Sequence, residues 1–255
     1  MENKFKNTFT LEEAYDKAVE FEADTQVIGI QKEKILHRSL KYFLCNDPSF
    51  HEVKVAKETK GCLYADIKID DQIIEIQTRN FNALREKLTE FLKKYQVTVV
   101  YPIPMQKMII RLDENHHMLT TKKSPRKGNP LDIFYELYKI KSYLNHPHLS
   151  FKIILLDVDE YRKITPKKYY RSSGYVKEVQ VPKKIRRIIN LKTDADYVNL
   201  LDEYHLPDTF ISKEFAKLTH LTAKKAGVTL NVLTSMHIVE RVSKVGRSYV
   251  YKVKK

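Results

Sequence analysis

The feature that most constrains this chain is a double change in the rhythm of its apolar residues between positions 31 and 103. From Gln31 to Leu44 the apolar positions Ile35, Leu36, Leu40, Phe43 and Leu44 recur every three to four residues, which predicts a helix. Asn46-Asp47-Pro48-Ser49 ends it. The period then drops to two: HEVKV (51–55), CLYADIKI (62–69) and QIIEIQT (72–78) alternate as strands do. The short Asp70-Asp71 link makes the last two an antiparallel hairpin. FNALREKLTEFLKKY (81–95) returns to helical spacing, and VTVVYPI (97–103) reads as a buried strand. Strand, helix and strand joined by short links imply a parallel crossover. The expectation is an α/β (α+β) fold with one mixed sheet flanked by helices.

The flanks extend this pattern. Thr10-Leu11-Glu12-Glu13 fits a capping box opening a first helix. KMIIRLD (107–113) and HHMLTTK (116–122) read as strands, KKSPRKGNP (122–130) as a basic loop, 131–144 as a helix and FKIILLDVDEY (151–161) as a buried strand. From Leu206 two short helical stretches and a basic hairpin around Val245-Gly246-Arg247 predict a winged helix-turn-helix. The chain therefore divides into a domain over 1–190 and a DNA-binding module over 191–255.

Charge follows the same division. The chain carries a net +14, from 46 Lys and Arg against 32 Asp and Glu. The stretch 161–187 holds ten basic residues against Glu178, with Tyr169, Tyr170 and Tyr175 interleaved. This run and the last fifty residues hold more positive charge than the whole chain, so the remainder is slightly acidic. Clustered basic charge points to a polyanionic partner. Six glycines and no GxGxxG argue against a phosphate loop. Two cysteines, Cys45 and Cys62, exclude a disulfide scaffold and a four-cysteine zinc site. They predict a reducing, cytoplasmic setting. No apolar run is long enough for a membrane helix.

The chemistry-bearing residues lie in the hairpin. Asp66 on one strand and Glu75 on the next can converge, and Gln77 shares a face with Glu75 on the strand reading. Paired carboxylates suit Mg²⁺, or Mn²⁺, because these ions take oxygen ligands and keep several waters. A bound ion there would activate water and stabilise charge on a phosphate under attack. The competing reading is two solvated hairpin carboxylates. His116-His117 falls on a strand, where adjacent side chains point to opposite faces.

With Asp66, Glu75 and Gln77 inside a helix, three strands, helix and strand, residues 30–104 resemble the PD-(D/E)XK, or restriction-endonuclease-like, nuclease superfamily. The closest similarity is to competence-protein CoiA-like nucleases, on Glu75-Ile76-Gln77-Thr78, Arg85, Tyr95, and Glu33, His37 and Lys41 spaced along one helix. The resemblance implies Asp66 and Glu75 as metal ligands, with Glu33 assisting. It implies Gln77 as the residue positioning water where the superfamily most often has Lys, and His37 and Lys41 near the scissile phosphate. Nucleic-acid contacts are expected from Lys167, Lys168, Arg171, Lys183 and Lys184 in the basic run. In the winged helix they are expected from Lys224, Lys225, Thr229 and Asn231 on the recognition helix and from Arg241, Lys244 and Arg247 on the wing.

The function expected is a metal-dependent DNA endonuclease acting on double-stranded DNA, with a homodimer compatible with double-strand cutting. Two alternatives stay open. One is a catalytically inactive nuclease-fold DNA-binding regulator, which the Gln at position 77 favours. The other is an RNA-processing or RNA-binding protein, which the tyrosine-rich basic run favours.

Overall fold

A computed structural model describes residues 9–24, 35–58, 60–164 and 174–254. Two helices, α1 (Leu11–Asp24) and α2 (Ile35–Leu44), precede a strand series β1 (His51–Ala56), β2 (Cys62–Ile69) and β3 (Gln72–Ile76). A 3-10 turn at Phe81–Leu84 leads into α3 (Arg85–Phe91), and β4 (Gln96–Leu112) returns through the sheet. β5 (Met118–Lys123), α4 (Ile133–Leu137), β6 (Leu149–Ile164) and β7 (Tyr175–Leu191) complete the first part. The hydrogen-bonded order is β1-β2-β3-β4-β6-β7, with β5 also paired to β4. β3, β4 and β6 run parallel, as the crossover predicts, and the other pairs are antiparallel. The protein is thus a mixed α+β fold with a large mixed sheet flanked by helices.

Helices cover both faces. α2 lays Leu36, Leu40 and Leu44 against Ile67, Ile74, Ile76, Val100, Ile154 and Leu156. α3 and α4 pack Leu88, Phe91, Phe134 and Leu137 on the other face with Ile73, Val97, Val99 and Phe151. Alternation along β3 sends Ile73 to one core and Ile74 to the other, so both faces are dry.

Two sequence expectations need correction. The strands expected at 97–103 and 107–113 are one strand, β4, because an irregularity between Pro104 and Gln106 absorbs the proline without ending the ladder to β6. The helix expected over 131–144 is short: α4 gives way to a 3-10 segment, Tyr138–Tyr143, with a non-helical Ile140. The basic run over 161–187 falls on the end of β6 and most of β7 where it is described; Lys167, Lys168 and Arg171 lie outside the described residues. β7 is an edge strand, and lysines on an edge discourage pairing with another chain.

The C-terminal part has α5 (Asp194–Asp202), β8 (Phe210–Ile211), α6 (Ser212–Leu218), α7 (Ala223–Ser235) and a ribbon of β9 (Val239–Val245) and β10 (Ser248–Val253). The order β8-β10-β9 beside α6 and α7 is the expected helix-turn-helix with a wing. Its apolar residues Phe210, Phe215, Leu230 and Leu233 join the same core as Phe134 and Leu137 of α4. Polar bonds stitch the two parts: Asn129 Nδ2 donates to the Thr219 carbonyl at 2.7 Å, and the Tyr204 hydroxyl to Asn129 Oδ1 at 3.1 Å.

Candidate active site

The site forms where the β2–β3 hairpin opens. Backbone register pairs Ile69 with Gln72 through Ile67 with Ile74 and goes no further. Beyond it the carboxylates replace the ladder. Glu75 Oε1 accepts from the Asp66 N–H at 3.3 Å, and Asp66 Oδ2 accepts from the Ile76 N–H at 2.7 Å. The partner strand is distorted at the same level. Glu52 lies between His51 and Val53, which pair with Ile67 and Ala65, and has φ +51°. A non-glycine residue in the left-handed region costs backbone energy and is retained where packing fixes it. Alternation in β2 breaks across Asp66 as well: Ala65 packs with the α3 core and Ile67 with the α2 core, although they are two apart. Asp66 therefore occupies a break in the pleat, and both acids are buried, at 8% and 2% exposure.

Two acids this close and this dry cannot ionise independently. Burial, and then the charge of Asp66, push Glu75 up to about 8 against the pull of Lys87. Burial also raises Asp66, but the hydrogen bond and charge of His37, the charge of Lys87 and the Ile76 N–H outweigh it, so Asp66 is net lowered. Asp66 is the anion and Glu75 holds the proton at neutral pH. A divalent cation would reverse that protonation, since positive charge beside Glu75 favours its ionised form. The donors are all oxygen, which suits Mg²⁺ or Mn²⁺ over softer ions. Among the described residues no group of three or more His, Cys, Asp and Glu gathers, so most ligands of such an ion would be water.

The helices bring different partners to the two acids. His37 on α2 places Nε2 at 3.2 Å from Asp66 Oδ2 and 2.9 Å from the Ile76 carbonyl oxygen. Lys41, one turn along, is 2% exposed and ion-paired to Glu52 at the kink, so it braces β1 rather than facing a phosphate. Gln77 follows β3. Its backbone N–H donates to the Val100 carbonyl at 2.9 Å, and its amide Nε2 donates to the Arg79 and Asn80 carbonyls. Its amide nitrogen thus holds the following turn. Arg85 Nε donates to the Lys139 carbonyl, and the Tyr95 ring lies under the Lys68 ammonium. Glu33 lies outside the described residues.

Sequence reasoning missed Lys87. Its ammonium is 2.7 Å from Glu75 Oε2, reached from α3. A signal was available: Lys87 lies three residues after the buried Leu84 and four before the buried Phe91, so helical spacing puts it beside the apolar stripe of the element that comes after β3. Position 77 lacks a cation, and Lys87 supplies one to the same carboxylate from the next element.

The nucleic-acid candidates separate into two groups. Lys183 and Lys184 are exposed on the edge strand β7. Arg241, Lys244 and Arg247 are exposed on the ribbon, with the Arg241 and Lys244 cations 4.3 and 4.7 Å from the Tyr249 ring centre. The recognition-helix assignments need correction. α7 packs on α4 and the 3-10 segment after it: Lys225 pairs with Asp132, Asn231 Oδ1 accepts from Lys141 Nζ at 3.2 Å, and Thr229 is 1% exposed. Lys224 is exposed and 6.0 Å from the Tyr135 ring. Lys225, Thr229 and Asn231 are thus turned toward Asp132, the shared core and Lys141, while Lys224 faces outward.

Residues 34–192 match the family model of a domain of unknown function, DUF8091. The chain belongs to the DUF8091 family. The matched span contains Asp66, Glu75 and Lys87 and stops between β7 and α5. An uncharacterized protein of Treponema pallidum (strain Nichols) is 28% identical over 232 residues, which cover 88% of this chain and 87% of that protein. No solved structure matches.

Proposed function

We infer that this DUF8091 protein is a metal-dependent endonuclease acting on double-stranded DNA. One observation carries the reading: two buried acids meet where the β2–β3 ladder opens, Glu75 accepting from the Asp66 N–H and Asp66 from the Ile76 N–H. A structural ion pair has no need of a second carboxylate. A cation site does. Asp66 and Glu75 would hold the ion, Mg²⁺ or Mn²⁺, which when bound supplies a more acidic water and positive charge at the phosphate.

The chain's own groups then have definite tasks. His37 orients Asp66 through Oδ2. Lys87, displaced from Glu75 once that acid ligates, is placed to neutralise charge on a phosphate oxygen. Lys41 and Glu52 keep the kink that turns Asp66 into the opening. The exposed ribbon residues Arg241, Lys244 and Arg247, with Lys183 and Lys184 of β7, support contact with the DNA backbone. Because α7 is docked, the reading assigns duplex contact to the wing.

A second reading has support of its own. The amide nitrogen of Gln77 is engaged by carbonyls at 79 and 80, which favours a non-catalytic DNA-binding regulator that keeps the fold. Supercoiled plasmid incubated with Mg²⁺ or Mn²⁺ separates the two. The endonuclease reading expects nicked or linear DNA, with Asp66→Asn slowing the reaction at least ~100-fold. Absence of cleavage with retained, metal-independent binding gives the regulator.

A further inference from the structure

We propose that the outer half of the main sheet, beyond the candidate site, is a track for the backbone of duplex DNA. β3 ends level with Val100, but β4 and β6 continue, and β5 takes up the edge of β4 that β3 leaves. Register places side chains of this extension on common faces. Lys122 of β5 pairs with Ile109 of β4, Ile109 with Glu160 of β6, and Glu160 with Gln180 of β7. Arg111 pairs with Arg162, and Arg162 with Lys177. One face therefore carries Lys107, Arg111, Lys122, Arg162 and Lys177. Among the described residues of these strands, the acid on this face is Glu160.

Glu160 does not neutralise this face; it organises it. The carboxylate is 3% exposed and lies under its partners. It accepts from Arg162 Nε at 2.7 Å and Gln180 Nε2 at 2.8 Å, with Lys107 Nζ at 3.6 Å. One negative charge thus fixes two cations above it. Arg111 stacks its guanidinium 4.7 Å from the Tyr175 ring centre, and its buried Nε has no hydrogen-bond partner among the described residues. The opposite face is mixed, with Asp159, Lys163, Lys123 and the pair His116–Glu178.

Nearer the site the same face is covered by α2, which packs on Val100, Ile154, Leu156 and Val158, so the cations begin at the edge of that helix. From Lys107 to Arg111 they span roughly 13 Å at ~3.3 Å per residue. A row of that length would meet a few successive phosphates and bind without regard to sequence. The choice of duplex DNA rests on the endonuclease reading above.

The test uses full-length Asp66→Asn protein in EDTA, so that cutting plays no part, and a fluorescent 40-base-pair duplex followed by anisotropy at several salt concentrations. The combined variant Lys107→Gln, Arg111→Gln, Lys122→Gln is expected to bind roughly 10–100-fold more weakly at 0.1 M salt, with a salt slope shallower by about 2–3. Lys122→Glu alone, on an exposed strand where folding is not at stake, is expected to weaken binding several-fold. Lys123→Glu, the next residue on the opposite face, is expected to leave it unchanged. Equal effects of Lys122→Glu and Lys123→Glu, or no effect of either, overturn the track. Equal affinity for a 40-base-pair RNA duplex or phosphatidylserine vesicles, lost in the same variants, overturns the choice of DNA. Plasmid cleavage by wild-type protein with unchanged binding by the variants removes the track and leaves the nuclease. Impaired binding by the variants with no cleavage by wild type removes the nuclease and leaves the track.

Discussion

Glu75→Gln should stabilise the metal-free protein, and by an amount that depends on pH. The acid is almost fully buried and pushed up from 4.5 to about 8. In the unfolded chain it releases its proton above about pH 4.5, whereas the folded chain keeps it until about pH 8. Between those values the folded state binds more protons, so its stability falls as pH rises. At about 1.4 kcal/mol per unit, the loss is on the order of 3 kcal/mol at pH 7 and approaches about 5 kcal/mol above pH 8. The amide of the Glu75→Gln variant would carry no such penalty, and its oxygen can still accept from the Asp66 N–H. Lys87, one-quarter exposed, can turn to water. For a chain of this size the gain at pH 7 corresponds to roughly 6–12 °C in Tm. Thermal unfolding at pH 4, 7 and 8.5 in EDTA measures it. The variant should match wild type at pH 4 and exceed it increasingly at pH 7 and 8.5. Magnesium should then raise the Tm of wild type at pH 8.5 and leave Glu75→Gln unchanged. A variant less stable than wild type at every pH would refute the argument, because Glu75 would then be a stabilising partner of Lys87.

Other expectations follow from single contacts. A Cβ at Gly128 would lie 2.6 Å from both Ile103 Cγ2 and the Pro104 carbonyl oxygen, so Gly128→Ala should lower stability by about 1–3 kcal/mol in denaturant titration. Thr229→Arg puts a charge at a site 1% exposed and should cost more than ~3 kcal/mol; a stable variant with tighter DNA binding would mean that α7 is free. Arg241→Ala and Arg247→Ala on the exposed ribbon should leave Tm unchanged and each make the salt slope of DNA binding shallower by about 1.

The central hairpin and crossover were legible because both faces of β3 are buried and the helices before and after the strands, α2 and α3, carry strong apolar periodicity. The link at Asp70 and Asp71 fixed the register that brings Asp66 beside Glu75. β7 has no clear signature in the sequence because an edge strand with a solvated face need not alternate in hydrophobicity, and its Lys and Arg residues dilute the pattern. β4 was split because a proline usually ends a ladder, and an irregularity at 104–106 is invisible to periodicity. The amphipathic pattern of α7 shows that Ala226, Leu230 and Leu233 face a core. It does not show that Asp132 and Lys141 take its polar face, because those partners are about ninety residues away. Lys41 shows a related limit: the resemblance implies a phosphate partner for it, and the left-handed Glu52 that pairs with it is a backbone event with no sequence signature.

The most direct test of the central claim is Mn²⁺ binding followed by electron paramagnetic resonance at pH 8, where Glu75 can lose its proton to the ion. One bound ion per chain is expected in wild type, lost in both Asp66→Asn and Glu75→Gln and weakened as pH falls toward 6. No bound ion in wild type, or binding that survives both substitutions, would contradict the claim.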